Sequence, residues 1–135
     1  MGTKDQRLRQ YLAAQRGKDF LLGEHDCFTF TNEAWRAMHG VGYADGIIGK
    51  YSDLGPSGFR KLMDKHFGAP DLIDALDLNL VRVDGVPPRG ALVVQYNGRW
   101  LTRHALGIAC GTVAAFLSDS DVLFIDIDKI NGAWV

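Results

Sequence analysis

The sequence has few cysteines and no long apolar run. Its two cysteines, Cys27 and Cys110, are too few for a disulfide framework and lack the paired spacing of a zinc cluster. The apolar runs are far shorter than a membrane span requires. The 16 glycines form neither a phosphate-binding loop nor a dinucleotide fingerprint. We therefore expect no metal, no cofactor and no membrane span.

The chain also lacks a marked excess of either charge. Its 15 basic residues nearly balance 16 acidic ones, for a net charge of −1, and the two signs are mixed along the sequence. Because nucleic-acid binding usually relies on a basic patch, this composition argues against it. The first residues are polar and lack the apolar core of a secretion signal, so we expect synthesis in the cytoplasm.

What is present suits one compact domain: 135 residues, of which 47% are hydrophobic. Apolar spacing predicts helices at residues 5–15, 27–39 and 55–67, with a short helical turn at Asp71–Leu76. The second half predicts strands, at Leu80–Val83, Ala91–Gln95, Ala105–Ala109, Val113–Leu117 and Val122–Ile127. Three helices followed by antiparallel strands indicate an α+β fold, with the helices packed on the sheet.

Two connecting segments carry further expectations. Asn97-Gly98 is a typical hairpin turn and predicts that the flanking strands pair. The glycine-rich segment 43–54 is expected to be irregular, and it is open whether it forms a functional loop or a surface connector. Trp100 and Trp134 are expected to pack in the core or at an interface.

Cys27 is the residue with the clearest chemical potential. It follows Asp26, a good N-cap residue, and begins the helix predicted at residues 27–39. At a helix start the backbone N–H groups and the dipole favour negative charge, which predicts a lowered thiol pKa and a thiolate nucleophile. The alternative is a small, inert residue on the apolar stripe of that helix. Cys110 is expected to pack in the core.

A thiol nucleophile needs a base to take its proton, and that base is usually histidine. His104 is the strongest candidate, because it directly precedes an apolar strand that could face the start of the Cys27 helix. His25 lies two positions before Cys27 and could also touch the thiol.

Several short motifs resemble those of the NlpC-type cysteine peptidases, which are papain-like peptidoglycan hydrolases. They are the helix entry Gly23-Glu-His-Asp26-Cys27, the strand Pro88–Val94 and the strand His104–Gly111. A closer resemblance, over about residues 20–135, is to small NlpC-like proteins encoded among the tail genes of tailed phages and prophages. That branch shares the segment Gly49-Lys50-Tyr51-Ser52 and the closing Ala133-Trp134-Val135.

This resemblance implies a single NlpC-like domain over residues 1–135, with residues 1–19 as a helical extension. Cys27 would attack an amide of a peptidoglycan stem peptide, and His104 would protonate the leaving amine. Possible supporting residues are Asp26, His25, Ser118 and Asp119. The alternative is a catalytically degenerate tail-tip or tail-assembly component. Either function implies other tail proteins as partners and, after synthesis in the host cytoplasm, a place in the virion tail.

Two departures from the family pattern affect these expectations. Ala91 stands where the family has an acidic residue, and two residues instead of one separate His104 from Gly107. Because side chains alternate along a strand, this shift predicts that His104 faces away from Cys27. A β-bulge, or a loop position for His104, would restore the contact.

Overall fold

The computed structural model of the chain describes residues 2–96 and 104–135, and in these residues four α-helices precede a five-stranded sheet. The helices are α1 (Lys4–Gln15), α2 (Cys27–His39), α3 (Gly55–Phe67) and α4 (Leu72–Asn79). The strands are β1 (Leu92–Gln95), β2 (Ala105–Ala109), β3 (Val113–Leu117), β4 (Val122–Asp126) and β5 (Gly132–Trp134). A 3-10 turn, Ile127–Lys129, precedes β5. The predicted α+β class is confirmed.

The strand order is β4-β3-β2-β1-β5, and every neighbouring pair is antiparallel. In β1, Leu92 pairs with Ile108 of β2 on one side and with Trp134 of β5 on the other. The last strand of the chain therefore completes the sheet beside β1, and β4 forms the opposite edge.

The start of α2 is fixed by a reciprocal pair of hydrogen bonds. The Asp26 carboxylate accepts from the Thr29 backbone N–H at 2.9 Å, and the Thr29 hydroxyl accepts from the Asp26 N–H at 2.7 Å. This capping box satisfies donors that a helix start leaves unpaired. Gly40 ends α2 in the left-handed conformation, with φ of +84°. The predicted bounds of α2 and the N-cap role of Asp26 are confirmed.

The two faces of the sheet pack differently. Leu106 and Ile108 of β2 belong to the large core cluster that includes buried side chains of all four helices. Ala109 of β2 and Phe116 of β3 belong to a separate, smaller cluster. Since side chains alternate along a strand, the first pair marks the face that the helices cover, and α2 packs directly on β2 there.

Some predicted elements differ in the structure. Leu80–Val83 forms only an isolated bridge from Arg82 to Trp134, although Val81 and Val135 exchange two backbone hydrogen bonds of 2.9 Å. The turn predicted at Asp71–Leu76 is instead the eight-residue helix α4, so four helices replace the predicted three. Strand β5 was not predicted, because three residues are too few to show alternation.

The remaining expectations concern a membrane span, two tryptophans and a hairpin turn. Within residues 2–96 and 104–135, no helix has the length and apolar character to cross a membrane. Trp134 is fully buried, as expected, and its indole N–H donates to Asp77 at 2.9 Å. The hairpin turn predicted at Asn97-Gly98, and Trp100, lie outside the described residues.

Candidate functional site

Cys27 is the first residue of α2, and its thiol lies between the start of that helix and strand β2. The backbone N–H groups of Leu106 in β2, of Cys27 itself and of Phe28 act on the thiol and favour its charged form. Cys27 is partly exposed and packs against the helix-side core cluster. The residue is therefore partly exposed, while its thiol is shielded from water and has three backbone N–H groups acting on it.

The protonation of this thiol is governed by its surroundings. Burial raises the pKa of Cys27 to about 12, and the negative charge of Asp26 acts in the same direction. The N–H groups of Leu106, Cys27 and Phe28 oppose the shift but do not reverse it. The predicted lowering of this pKa is therefore wrong, because dry surroundings and an adjacent carboxylate outweigh the helix start. In the free protein Cys27 is a neutral thiol near pH 7.

His104 directly precedes β2, and its ring meets the Tyr96 ring edge-on with centroids 4.6 Å apart and an interplanar angle of 83°. Tyr96 directly follows β1. Because Gln95 pairs with Ala105, the next positions outward on these two strands are Tyr96 and His104. The contact is therefore a cross-strand aromatic pair at one end of the sheet.

Whether His104 faces Cys27 stays a prediction, but the side of β2 that α2 covers is the one that carries Leu106 and Ile108. Alternation assigns position 104 to the same face as Leu106, which is the face that α2 covers. Ala105, the position that matches the family histidine by spacing, packs with the cluster on the other face. Same-face neighbours on a strand are about 6.6 Å apart, so Leu106, whose N–H acts on the thiol, is one such step from His104.

Asp26, immediately before Cys27, is completely buried and fully hydrogen-bonded. The Tyr51 hydroxyl donates to both carboxylate oxygens, at 2.7 and 2.6 Å. The backbone N–H of Thr29 donates to Oδ1 at 2.9 Å, and that of Gly23 donates to Oδ2 at 2.7 Å. A buried carboxylate needs such donors to offset the cost of leaving water. Asp26 thus supports Cys27 as a structural neighbour and does not face solvent.

Gly23 and Ser52 bring the loop before Cys27 into contact with the segment that carries Tyr51. Gly23 has φ of +84°, and a Cβ there would lie 2.9 Å from the Cβ of Ser52. Only glycine combines that backbone conformation with this close approach. The motif that leads into Cys27 therefore packs against the Gly49–Ser52 motif as one unit. Asp26 and Tyr51, which are hydrogen-bonded to each other, are 25 residues apart in the sequence.

The glycine-rich segment 43–54 is part of the core, and sequence reasoning missed this. Ala44, Ile47 and Tyr51 are each about 1% exposed or less. The Tyr43 hydroxyl bonds the Thr31 hydroxyl at 2.7 Å, and Thr31 donates to the Cys27 carbonyl oxygen at 2.7 Å. The apolar spacing at positions 44, 47, 48 and 51 is the signal that would have revealed a buried face.

His25 lies in the turn before Asp26, and its backbone pairs with Leu21. Its ring lies edge-on to Phe30 with centroids 6.4 Å apart. Its Nε2 is buried without a hydrogen-bond partner among the described residues. Burial lowers the pKa of His25, Lys18 does so too, and Asp26 opposes them. His25 is therefore a neutral ring at neutral pH.

Ser118 and Asp119 follow β3, at the end of the sheet where β2 begins. The Ser118 hydroxyl donates to the Asp121 carbonyl oxygen at 2.9 Å and accepts from the Asp121 N–H at 3.1 Å. The Asp119 carbonyl oxygen accepts from the Phe20 N–H at 2.7 Å. These bonds tie the turn after β3 to the loop that leads into α2. A supporting role toward His104 stays a prediction for both residues.

No group of three or more His, Cys, Asp and Glu side chains in residues 2–96 and 104–135 is placed to hold a metal ion. His104 precedes β2, and Ser118 and Asp119 follow β3 at the same end of the sheet. Cys27 packs in the core cluster that includes Leu106 of β2, and the approach of its thiol to His104 stays a prediction.

These features define an α+β protein with a cysteine at the start of a helix that packs on an antiparallel sheet. The family described as Domain of unknown function (DUF6950) matches residues 2–135, and the chain belongs to that family. No curated protein matches the chain.

Proposed function

We propose that the protein is an NlpC-like cysteine peptidase that cleaves amide bonds of peptidoglycan stem peptides, with Cys27 as nucleophile and His104 as base. One observation carries this proposal: Cys27 packs in the same core cluster as Leu106, which lies two residues after His104 on the α2 side of β2. A nucleophile and its base must lie within reach of each other, and this packing supports that arrangement.

The raised thiol pKa indicates how the chemistry would proceed. Because Cys27 rests as a neutral thiol, His104 would remove its proton as the sulfur bonds to the amide carbon. The protonated His104 would then give that proton to the departing amine as the carbon–nitrogen bond breaks. Water, deprotonated by His104, would attack the acyl-enzyme and release the acid and the thiol.

The backbone N–H groups of Cys27 and Phe28 have a place in this scheme. They lie beside the sulfur at the start of α2. The carbonyl oxygen of a substrate under attack would gain negative charge next to these donors, at the positive end of the helix dipole. Such donors are already oriented before the reaction, so they stabilise the oxyanion without rearrangement.

A second candidate function is favoured by a separate observation. The thiol has a pKa of about 12, and Asp26 is sealed inside the protein, as in a domain that has kept its fold without selection for thiol reactivity. In that case the protein is a structural tail-tip or tail-assembly component, bound to other tail proteins. Both functions place the protein in the host cytoplasm on synthesis and in the virion tail on assembly.

Histidine substitutions separate these functions. Purified stem peptides are incubated with the wild-type protein, His104→Ala and His25→Ala, and the release of free amine is measured. We expect His104→Ala to lower turnover by about 10²–10⁴-fold, as for loss of a general base. His25→Ala is the matched control, because it removes the nearer histidine in sequence and should retain most of the activity.

The same samples give the results that would contradict the peptidase proposal. Wild-type protein that releases no amine, and whose Cys27 resists iodoacetamide while folded, would support the structural role. Equal losses in His104→Ala and His25→Ala, with unchanged thermal stability, would reject His104 as the base.

A further inference from the structure

We propose that Tyr51 is a positioning residue: it fixes the Asp26 carboxylate beside Cys27 and so sets how readily the thiol reacts. The role of this arrangement in catalysis rests on the proposed function. Its effect on the reactivity of the Cys27 thiol can be measured without any substrate. Tyr51 lies 24 positions after Cys27, in the segment whose role the sequence left open.

The Tyr51 hydroxyl is held rigidly against the carboxylate. It is about 1% exposed and donates to both Asp26 oxygens, at 2.7 and 2.6 Å. Its ring meets Phe59 edge-on at 5.7 Å and lies 5.8 Å from the Phe28 ring. Burial raises the pKa of Tyr51 above its ordinary range, and the hydrogen bond to Asp26 adds to this, so the phenol stays protonated. Hydrogen bonds from a hydroxyl to a carboxylate are among the strong ones.

The carboxylate in turn acts on the thiol next to it. Asp26 opposes ionisation of Cys27, and its charge is balanced mainly by neutral donors, since Gly23, Thr29 and Tyr51 all donate to it. Tyr43 and Tyr51, from the segment behind α2, are further titratable groups that interact with Cys27, and His104 precedes β2. Of these groups, Tyr51 bonds the Asp26 carboxylate directly, through both of its oxygens.

Removal of the hydroxyl and removal of the charge should therefore have opposite effects. Without the Tyr51 hydroxyl, the carboxylate keeps its charge with fewer donors, and its field at the thiol increases. Without the Asp26 charge, the thiol loses its nearest negative neighbour and ionises more easily. If Tyr51 and Asp26 only hold the fold together, both substitutions would loosen the site and shift the thiol in the same direction.

The experiment measures the rate of alkylation of Cys27 by iodoacetamide between pH 6 and pH 11. All variants carry Cys110→Ala, so that one thiol reports. We expect the pH profile of Tyr51→Phe to move to higher pH and that of Asp26→Asn to move to lower pH. The rate at pH 8 should fall or rise by about tenfold for each pH unit over which the profile moves. Asn suits the cap because it is as good an N-cap residue as Asp.

Tyr11→Phe is the matched control. Its hydroxyl is also shielded and donates at 2.8 Å, but to the Phe30 carbonyl oxygen and not to Asp26. We expect its alkylation profile to coincide with that of the parent protein. If only the loss of the Tyr51 hydroxyl moves the profile, the effect comes from its bond to Asp26 and not from the loss of a shielded tyrosine hydroxyl in general.

The proposal would be overturned if the alkylation profiles of Tyr51→Phe and Asp26→Asn move in the same direction. It would also be overturned if the Tyr51→Phe profile coincides with that of the parent protein. If Tyr51→Phe fails to fold, 3-fluorotyrosine at position 51 keeps the hydroxyl and makes it a stronger donor. Its profile should then move to lower pH, and an unmoved profile counts against Tyr51. Absence of peptide turnover together with opposite shifts rejects the peptidase alone, whereas turnover with coincident profiles rejects the positioning role alone.

Discussion

The two cysteines lie near opposite ends of β2, Cys27 at the start of α2 and Cys110 directly after the strand, and they show how neighbours decide what a thiol can do. Both are partly exposed, and both pack against the helix-side cluster. Burial raises the pKa of each thiol. Backbone N–H groups act on both thiols, but Cys27 also has a fixed carboxylate beside it, whereas the Cys110 thiol donates a weak hydrogen bond to the Ile108 carbonyl oxygen at 3.4 Å.

The Cys110 end of the strand is a tight turn. The Cys110 N–H donates to Val113 at 2.8 Å, and Gly111 adopts φ of +91° with the Arg89 guanidinium close above it. The nearest charges, Arg89 and Asp5, act on this thiol in opposite directions. A similar pKa direction therefore arises from two different environments, of which the one at Cys27 is the proposed reactive site.

The largest expected effect is on catalysis. Cys27→Ala should reduce amine release from stem peptides to background, because it removes the nucleophile. Cys110→Ala should keep turnover close to the wild-type rate, since Cys110 lies at the far end of β2. Release is followed by mass spectrometry of the products. Equal activity in both variants would show that the two ends do not differ in the way proposed.

The next effect is on stability. Asp26→Ala removes the cap of α2 and leaves the Tyr51 hydroxyl without its acceptor, so we expect a loss of about 2–4 kcal/mol in the free energy of unfolding. Cys110→Ala removes one partly exposed sulfur and should cost less than about 1 kcal/mol. Urea unfolding at pH 7 measures both. Similar losses would mean that the hydrogen-bond network at the Cys27 end contributes little.

The smallest effect is a pH dependence. The Cys27 pKa of about 12 lies above the unfolded value, so the folded state retains this proton when the unfolded state has lost it. Its stabilising contribution is complete below pH 9 and is lost as pH rises toward 12, by at most about 1.4 kcal/mol per pH unit. Urea unfolding at pH 8, 9 and 10 should show a shallower decline for Cys27→Ala than for the wild type. Parallel declines would show that Cys27 ionises normally in the fold.

Local signals in the sequence were enough to predict the first three helices and four of the five strands, with bounds within one residue. Asp26 and Gly40 mark the ends of α2 through capping chemistry that depends only on nearby residues. The alternation in Ala105–Ala109 predicted β2 with its observed bounds. By contrast, β5 is defined by its pairing with β1, some 40 positions earlier, and its three residues carry no periodic signal of their own.

The candidate site was harder to predict, because its properties depend on contacts between distant segments. The sequence could place Cys27 at a helix start, but the rise in its pKa comes from burial that only the packed fold creates. The side of β2 that faces the start of α2 was hard to predict for a related reason. Gly107 faces the far side of the sheet, where a Cβ would lie 2.5 Å from the Ala115 carbonyl oxygen, and only tertiary packing shows which side α2 covers.

The pairing of β5 with β1 has a consequence for synthesis of the chain. Leu92, Val93 and Val94 pair with Trp134, Ala133 and Gly132, so one side of β1 has no partner until residues 132–134 leave the ribosome. An apolar strand with open backbone groups is a site for association with other chains. During translation, the nascent protein would present this strand for the time needed to make about 40 more residues at some 5–20 residues per second, which is a few seconds. Slower translation of that stretch should therefore increase aggregation without any change in the sequence.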